Sequence, residues 1–211
     1  MTKKELRRLL IVTTIVMLVP LVVGLMIWAQ LPDNIATHFG AGGQANGWHS
    51  KNKTVFGIPL LMVVIQYICF FSLYFDPSKN NINIRLFKGL LWIAPIIENI
   101  MMFSIYGIAL GYSLNIVMIV NFMVGILFIA LGNYLHKVKQ NYTVGIKIPW
   151  TLHSKENWNR THRFAAWLFL IVGIFMLING FLQQTWLLII PILGIVILPI
   201  GYSFILYHKG I

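Results

Sequence analysis

The chain has 211 residues, 58% of them hydrophobic and only 10% charged, with a mean hydropathy of +0.80. A soluble domain averages about 25% charged residues, so this composition excludes a water-facing globule and specifies a polytopic helical membrane protein. The net charge of +11 reads as basic flanks meeting anionic lipid headgroups, with no direct nucleic-acid partner. A single cysteine, Cys69, excludes an intrachain disulfide framework and any Cys-rich metal motif.

The N-terminal "MTKKELRRLL" precedes a first apolar segment at residues 9–30. That segment is longer than the h-region of about 7–15 residues in a signal peptide, and predicts an uncleaved first span. A polar connection follows at 31–56, "LPDNIATHFGAGGQANGWHSK" in part. Asp33, His38 and His49 lie within it, but no His-x-x-x-His or HExxH spacing occurs and a third strong ligand is missing, so no metal is expected. Asp33 after Pro32 reads as a helix-end or turn residue. Asp33, His38 and Trp48 are the candidates for contact with an external peptide.

The second and third spans are predicted at 57–75 and 89–111. The third carries Glu98, the only acidic residue in any predicted span, three residues after Pro95 and directly before Asn99. An ionised side chain there costs about 2.5–3.5 kcal/mol on insertion scales, and the proline frees a backbone carbonyl that needs a partner. Glu98 and Asn99 therefore form a candidate intramembrane polar site. Its two readings are a proton- or partner-binding group, and a protonated Glu98 hydrogen-bonded to Asn121, Asn179 or Gln66 as structural glue. Gly107 and Gly111 fit a close-packing pattern. Spans four to six are predicted at 115–135, 164–182 and 186–207, with Trp28, Trp92, Trp158 and Trp186 as interfacial anchors.

Lys and Arg divide unevenly between alternate connections. The N-terminus has four, 76–88 has three, 136–163 has six and the C-terminus one, against two in 31–56 and none elsewhere. The positive-inside rule then predicts six spans with both termini in the cytoplasm. The chain divides into 1–56 (first span and outer loop), 57–135 (spans two to four) and 136–211 (the inner loop with spans five and six).

The inner connection, 136–163, is more than a linker. Asn141 to Ile148 suggests an extended or turned piece, and Pro149 keeps Ile148 out of helix. Ser154 is placed to cap a helix beginning at Lys155–Glu156, where the acid favours the positive end of the helix dipole. That helix is expected to run through Trp158, Thr161 and His162 into the fifth span, with Trp158 and His162 sharing a face at i,i+4 and Arg160 and Arg163 elsewhere. An amphipathic cuff at the interface is the plainer alternative.

The stretch "GNYLHKVKQNYTVGIKIPWTLHSKENWNRTHR" resembles the signature of the SdpI family of bacterial membrane proteins. The matching residues are Gly132, Asn133, Asn141, Gly145, Ile146, Lys147, Pro149, Trp150, Thr151, Leu152, Trp158, Thr161, His162 and Arg163. Lys147 stands where the family often has Arg, and Ala166 where a small residue, often Gly, is expected. The 31–56 loop also resembles an N-terminal domain of unknown function that many members carry. The resemblance implies an all-α membrane protein that gives immunity to a secreted killing peptide. It further implies a cytoplasmic repressor as a second partner, recruited to the membrane through the inner loop. Asn141, Gly145, Lys147, Pro149, Trp150, Thr151, Trp158, Arg160, Thr161, His162 and Arg163 are the candidates for that contact. No cofactor is implied. Two other classes compete: a small transporter or channel built on Glu98, and an intramembrane enzyme using His153, Thr161 and His162, which lacks an acidic or cysteine partner in the same loop.

Overall fold

A computed structural model describes residues 3–211. The first two residues of the expected 1–56 segment, and the side chain of Lys3 counted in the basic N-terminus, lie outside the described residues. The elements are α1 (Lys3–Met26), β1 (Asn34–Phe39), β2 (Ala45–Ser50), α2 (Ile58–Tyr74), α3 (Ile84–Ala109), α4 (Ile116–Leu135), α5 (Pro149–His153), α6 (Lys155–Leu182) and α7 (Trp186–His208). Among the described residues six helices are long and apolar enough to cross a membrane. They overlap the six predicted segments, with shifted ends: α1 begins six residues and ends four residues before the predicted 9–30, α3 begins five residues early, and α6 begins nine residues before the predicted start of span five.

The chain forms two compact units. The first comprises residues Met1–Ser72 and Phe87–Ile116. In α1 the buried positions Thr13, Met17, Pro20 and Gly24 recur every three or four residues and make one inward stripe. Leu91, Pro95, Glu98, Met102 and Ile105 do the same in α3. Both stripes contain a proline, and each proline removes the donor that would satisfy the carbonyl four residues earlier. Each freed carbonyl is repaired by a side-chain amide from another helix. Pro20 leaves the Val16 carbonyl, and Asn99 Nδ2 donates to it at 3.0 Å. Pro95 leaves the Leu91 carbonyl, and Gln66 Nε2 of α2 donates to it at 2.8 Å. Gln66 also reaches Thr13 Oγ1 at 3.2 Å, and the Tyr106 hydroxyl donates to the Pro20 carbonyl at 3.0 Å. Three helices are thus held by polar groups that two prolines call for, as a hydrocarbon environment requires.

The 31–56 connection is not an irregular loop. It folds as a β-hairpin, β1 antiparallel to β2, with Ile35 opposite His49 and a bulge at Thr37. Gly43 takes a positive φ of 77° in the turn. Ile35 points inward and packs with Leu31, Val55, Met102, Ile105 and Tyr106, which anchors the hairpin to the first unit's core. The all-α expectation therefore gains a two-stranded cap.

The second unit comprises Leu73–Leu86 and Val117–Ile211. Here α4 and α6 approach so closely that a Cβ at Gly125 would lie 2.9 Å from the Gly173 carbonyl, and one at Gly132 would lie 2.8 Å from the Ala166 carbonyl. The small residue expected at Ala166 is part of this contact. The small-residue seam thus lies at Gly125, Gly132, Ala166 and Gly173. The pair proposed from sequence behaves differently: a Cβ at Gly107 would meet Leu114, while Gly111 follows the helix end with φ +89° and a Cβ there would meet nothing within 4 Å. Asn179 Nδ2 donates to Asn121 Oδ1 at 2.9 Å, tying α6 to α4.

Candidate functional site

Residues 136–163 form an ordered structure within the second unit. Ile148 is extended (φ −124°, ψ 157°) and Pro149 opens α5, as the steric conflict before proline dictates. Ser154 caps α6: its hydroxyl accepts the Asn157 N–H at 3.1 Å, and Glu156 lies in the first turn. The cap and the continuous helix through residues 158–162 agree with the sequence reading.

Trp158 and His162 stack at 4.0 Å between ring centroids and 20° between planes. They are 0% and 1% exposed. Trp158 is therefore no interfacial anchor. Its indole N–H donates to the Val138 carbonyl at 2.7 Å, inside the unit. His162 Nε2 accepts the Ile146 N–H at 3.0 Å, and Nδ1 lies 2.8 Å from the Trp158 carbonyl. One nitrogen accepting and the other facing a carbonyl fixes a neutral ring with its proton on Nδ1. Gly145 lies against this pair with φ +120°, and a Cβ there would stand 2.4 Å from His162 Nε2 and 3.1 Å from the indole. Only glycine fits both the backbone angle and the space.

Asn141 closes the turn before it. Its amide donates to the Lys139 and Val144 carbonyls, and its carbonyl oxygen accepts the Thr143 and Val144 N–H groups. The Thr151 hydroxyl bridges to the Ile146 and Ile148 carbonyls and accepts the Ile148 N–H. Trp150 stacks on Tyr207 and meets Phe204 edge-on, so α5 rests on α7. Asn157 accepts the Ser203 hydroxyl and donates to the Ser203 and Ile211 carbonyls, which binds α6 to α7 and the chain's last residue. Thr161 donates to Asn157 Oδ1 at 3.1 Å.

Of the eleven loop candidates, Asn141, Thr151, Trp158, Thr161 and His162 are thus buried and spend their polar atoms inside the unit. Gly145 and Trp150 are half-buried. Lys147, Pro149, Arg160 and Arg163 are exposed. Arg160 is paired with Glu156 at 2.6 Å. The buried group shapes the loop, and the exposed group lies on its surface.

Sequence reasoning missed Asp76 and Gln140. Asp76 is 4% exposed; its carboxylate accepts the Ser78 and Tyr142 N–H groups and the Thr143 hydroxyl. Gln140 donates to the Thr151 and Leu152 carbonyls, and its own carbonyl accepts from Asn81. The 76–86 and 136–153 connections are thereby one assembly. The only hint in the sequence was that both should lie on the same side.

In the first unit, His38 Nδ1 lies 2.5 Å from Asn46 Oδ1 and His49 Nδ1 lies 3.0 Å from Thr37 Oγ1. Asp33 is 3.7 Å from Lys51, while Trp48 is 57% exposed. The outer-loop candidates are not gathered into one cluster; each is exposed, His38 and Trp48 on the hairpin and Asp33 just before it. Among the described residues no group of three or more His, Cys, Asp or Glu side chains is assembled. Glu98 is 3% exposed, and among the described residues neither of its carboxyl oxygens has a hydrogen-bond partner. The structural-glue reading is thereby corrected, because Asn121 and Asn179 bond each other and Gln66 serves Leu91 and Thr13. Asn99 is committed to Val16 and Pro95.

Residues 137–203 match the SdpI/YfhL protein family, and residues 15–63 match a domain of unknown function, DUF1648. Immunity protein SdpI of Bacillus subtilis (strain 168) is 27% identical over 202 residues, covering 94% of each chain. No solved structure matches.

Proposed function

We propose that this chain, a member of the SdpI/YfhL family and a multi-pass bacterial membrane protein, is an immunity protein that confers resistance to a secreted killing peptide. The observation that carries the reading is the similarity, over 94% of each chain, to a protein named for immunity, with the inner connection of the matched segment 137–203 folded as an ordered loop and not as a linker. In this reading the basic connections face the cytoplasm and the hairpin faces outward. The peptide meets the hairpin through Asp33, His38 and Trp48. The exposed Lys147, Arg160 and Arg163 present charge to a cytoplasmic repressor, while the Gly145–Trp158–His162 clip holds their backbone in place. Because α6 carries both the clip and span five, a shift of that helix links the two faces. The peptide moves the equilibrium only as far as it binds the two states differently.

A paired assay tests this: survival under peptide challenge, and membrane retention of a tagged repressor. Arg160→Ala with Arg163→Ala should lower retention at normal protein level, and Trp48→Ala should lower survival first. Arginine variants that abolish survival while retention persists would overturn the two-sided receptor. The second reading, a small transporter or channel, is favoured by one observation, the buried and unpaired carboxyl of Glu98.

A further inference from the structure

A cavity of about 320 Å³ lies within the second unit, lined by Asn81, Lys139, Gln140, Lys155 and Asn159. Every lining residue is polar, and two are cations. Two of the five build the wall: Asn81 donates to the Gln140 carbonyl, and Gln140 donates to Thr151 and Leu152. The other three, Lys139, Lys155 and Asn159, have exposed side chains directed to no internal partner and supply the donors. Among the described residues no acid lines the cavity. The nearest carboxylates along the chain are already used, Glu156 by Arg160 and Asp76 by Ser78, Tyr142 and Thr143. Two ammonium groups and an amide around an acid-free hollow match a phosphate.

The depth of the cavity identifies the source of that phosphate. The apolar part of α6, residues 164–182, covers about 29 Å at 1.5 Å per residue, close to the hydrocarbon thickness of about 30 Å. Asn159 lies five residues before that part, about 8 Å beyond it, and Lys155 nine residues before it, about 13 Å beyond. The headgroup layer occupies the first 5–8 Å or so. Asn159 is thus level with lipid phosphates, and Lys155 closes over them from the water side. We infer that this cavity binds the phosphate-bearing headgroup of an anionic phospholipid, a ligand distinct from either partner proposed above.

The test is native mass spectrometry of the full chain released from micelles carrying phosphatidylglycerol or phosphatidylcholine. The wild type should retain phosphatidylglycerol preferentially. Lys139→Gln with Lys155→Gln should reduce that retention at least fivefold, and Asn159→Asp, which adds a like charge without removing a lysine, should reduce it as well. Lys209→Gln, an exposed cation outside the cavity, should leave it unchanged. Unchanged retention in the cavity variants, or an equal loss in Lys209→Gln, overturns the assignment. Glycerol phosphate that binds in a lysine-dependent way while phosphatidylglycerol is not retained also overturns it, and makes the site one for a soluble anion.

Discussion

Replacing Gly145 with alanine tests the loop's internal clip. Two costs arise at once. The backbone angle of +120° lies in the region that side chains rarely adopt, which costs about 1–3 kcal/mol. The new methyl would stand 2.4 Å from His162 Nε2 and 3.1 Å from Trp158, and overpacking of that kind costs about 1–3 kcal/mol. Because one backbone shift relieves part of both, the net expectation is about 3 kcal/mol, or roughly a hundredfold in the population of the opened loop. The Ile146 N–H, held by His162, and the Ile148 N–H, held by Thr151, report that opening directly. Hydrogen exchange in detergent should show these two amides exchanging about a hundredfold faster in Gly145→Ala, with the six spans still protected. Gly42→Ala is the control, since its Cβ would meet nothing within 4 Å. Wild-type exchange at Ile146 in Gly145→Ala would refute the clip.

Other perturbations have equally definite outcomes. Gln66→Leu leaves the Leu91 carbonyl unpaired and should cost about 1–2 kcal/mol in detergent unfolding, whereas in a Pro95→Ala background the restored N–H should remove most of that cost; equal costs in both backgrounds would refute the proline repair. Glu98→Gln should keep protein level and resistance if its charge has no role, and loss of activity at normal level would favour transport. Cysteines placed at Ser50 and Ser154, after the exposed Cys69 is changed to serine, should label from opposite sides of the membrane; labelling of both by an impermeant reagent outside the cell would contradict the proposed topology.

The spans were legible because hydrophobic length is a local property, and the α6 start because Ser154 and Glu156 are local signals. The Trp158–His162 face followed from i,i+4 spacing, but its burial did not, since the apolar surroundings come from Val138 and Gly145 across the loop. The hairpin was hidden because its strands, "NIATHF" and "ANGWHS", are short and mostly polar, and only Ile35 is fully buried. Asp76 looked like one more connector residue because Ser78 is its only local partner and the other two are 66 and 67 positions away. The same distance effect concealed the amide that each proline needs. Pro20 and Pro95 announce a free carbonyl, but only helix neighbours reveal Asn99 and Gln66 as its donors.

Expression in a host sensitive to the killing peptide tests the central claim most directly. Cells carrying the chain should survive peptide concentrations that kill cells carrying an empty vector, and Trp48→Ala at matched membrane level should reduce that survival. Equal killing with and without the chain, across a panel of secreted killing peptides and at confirmed membrane insertion, would contradict the assignment of immunity.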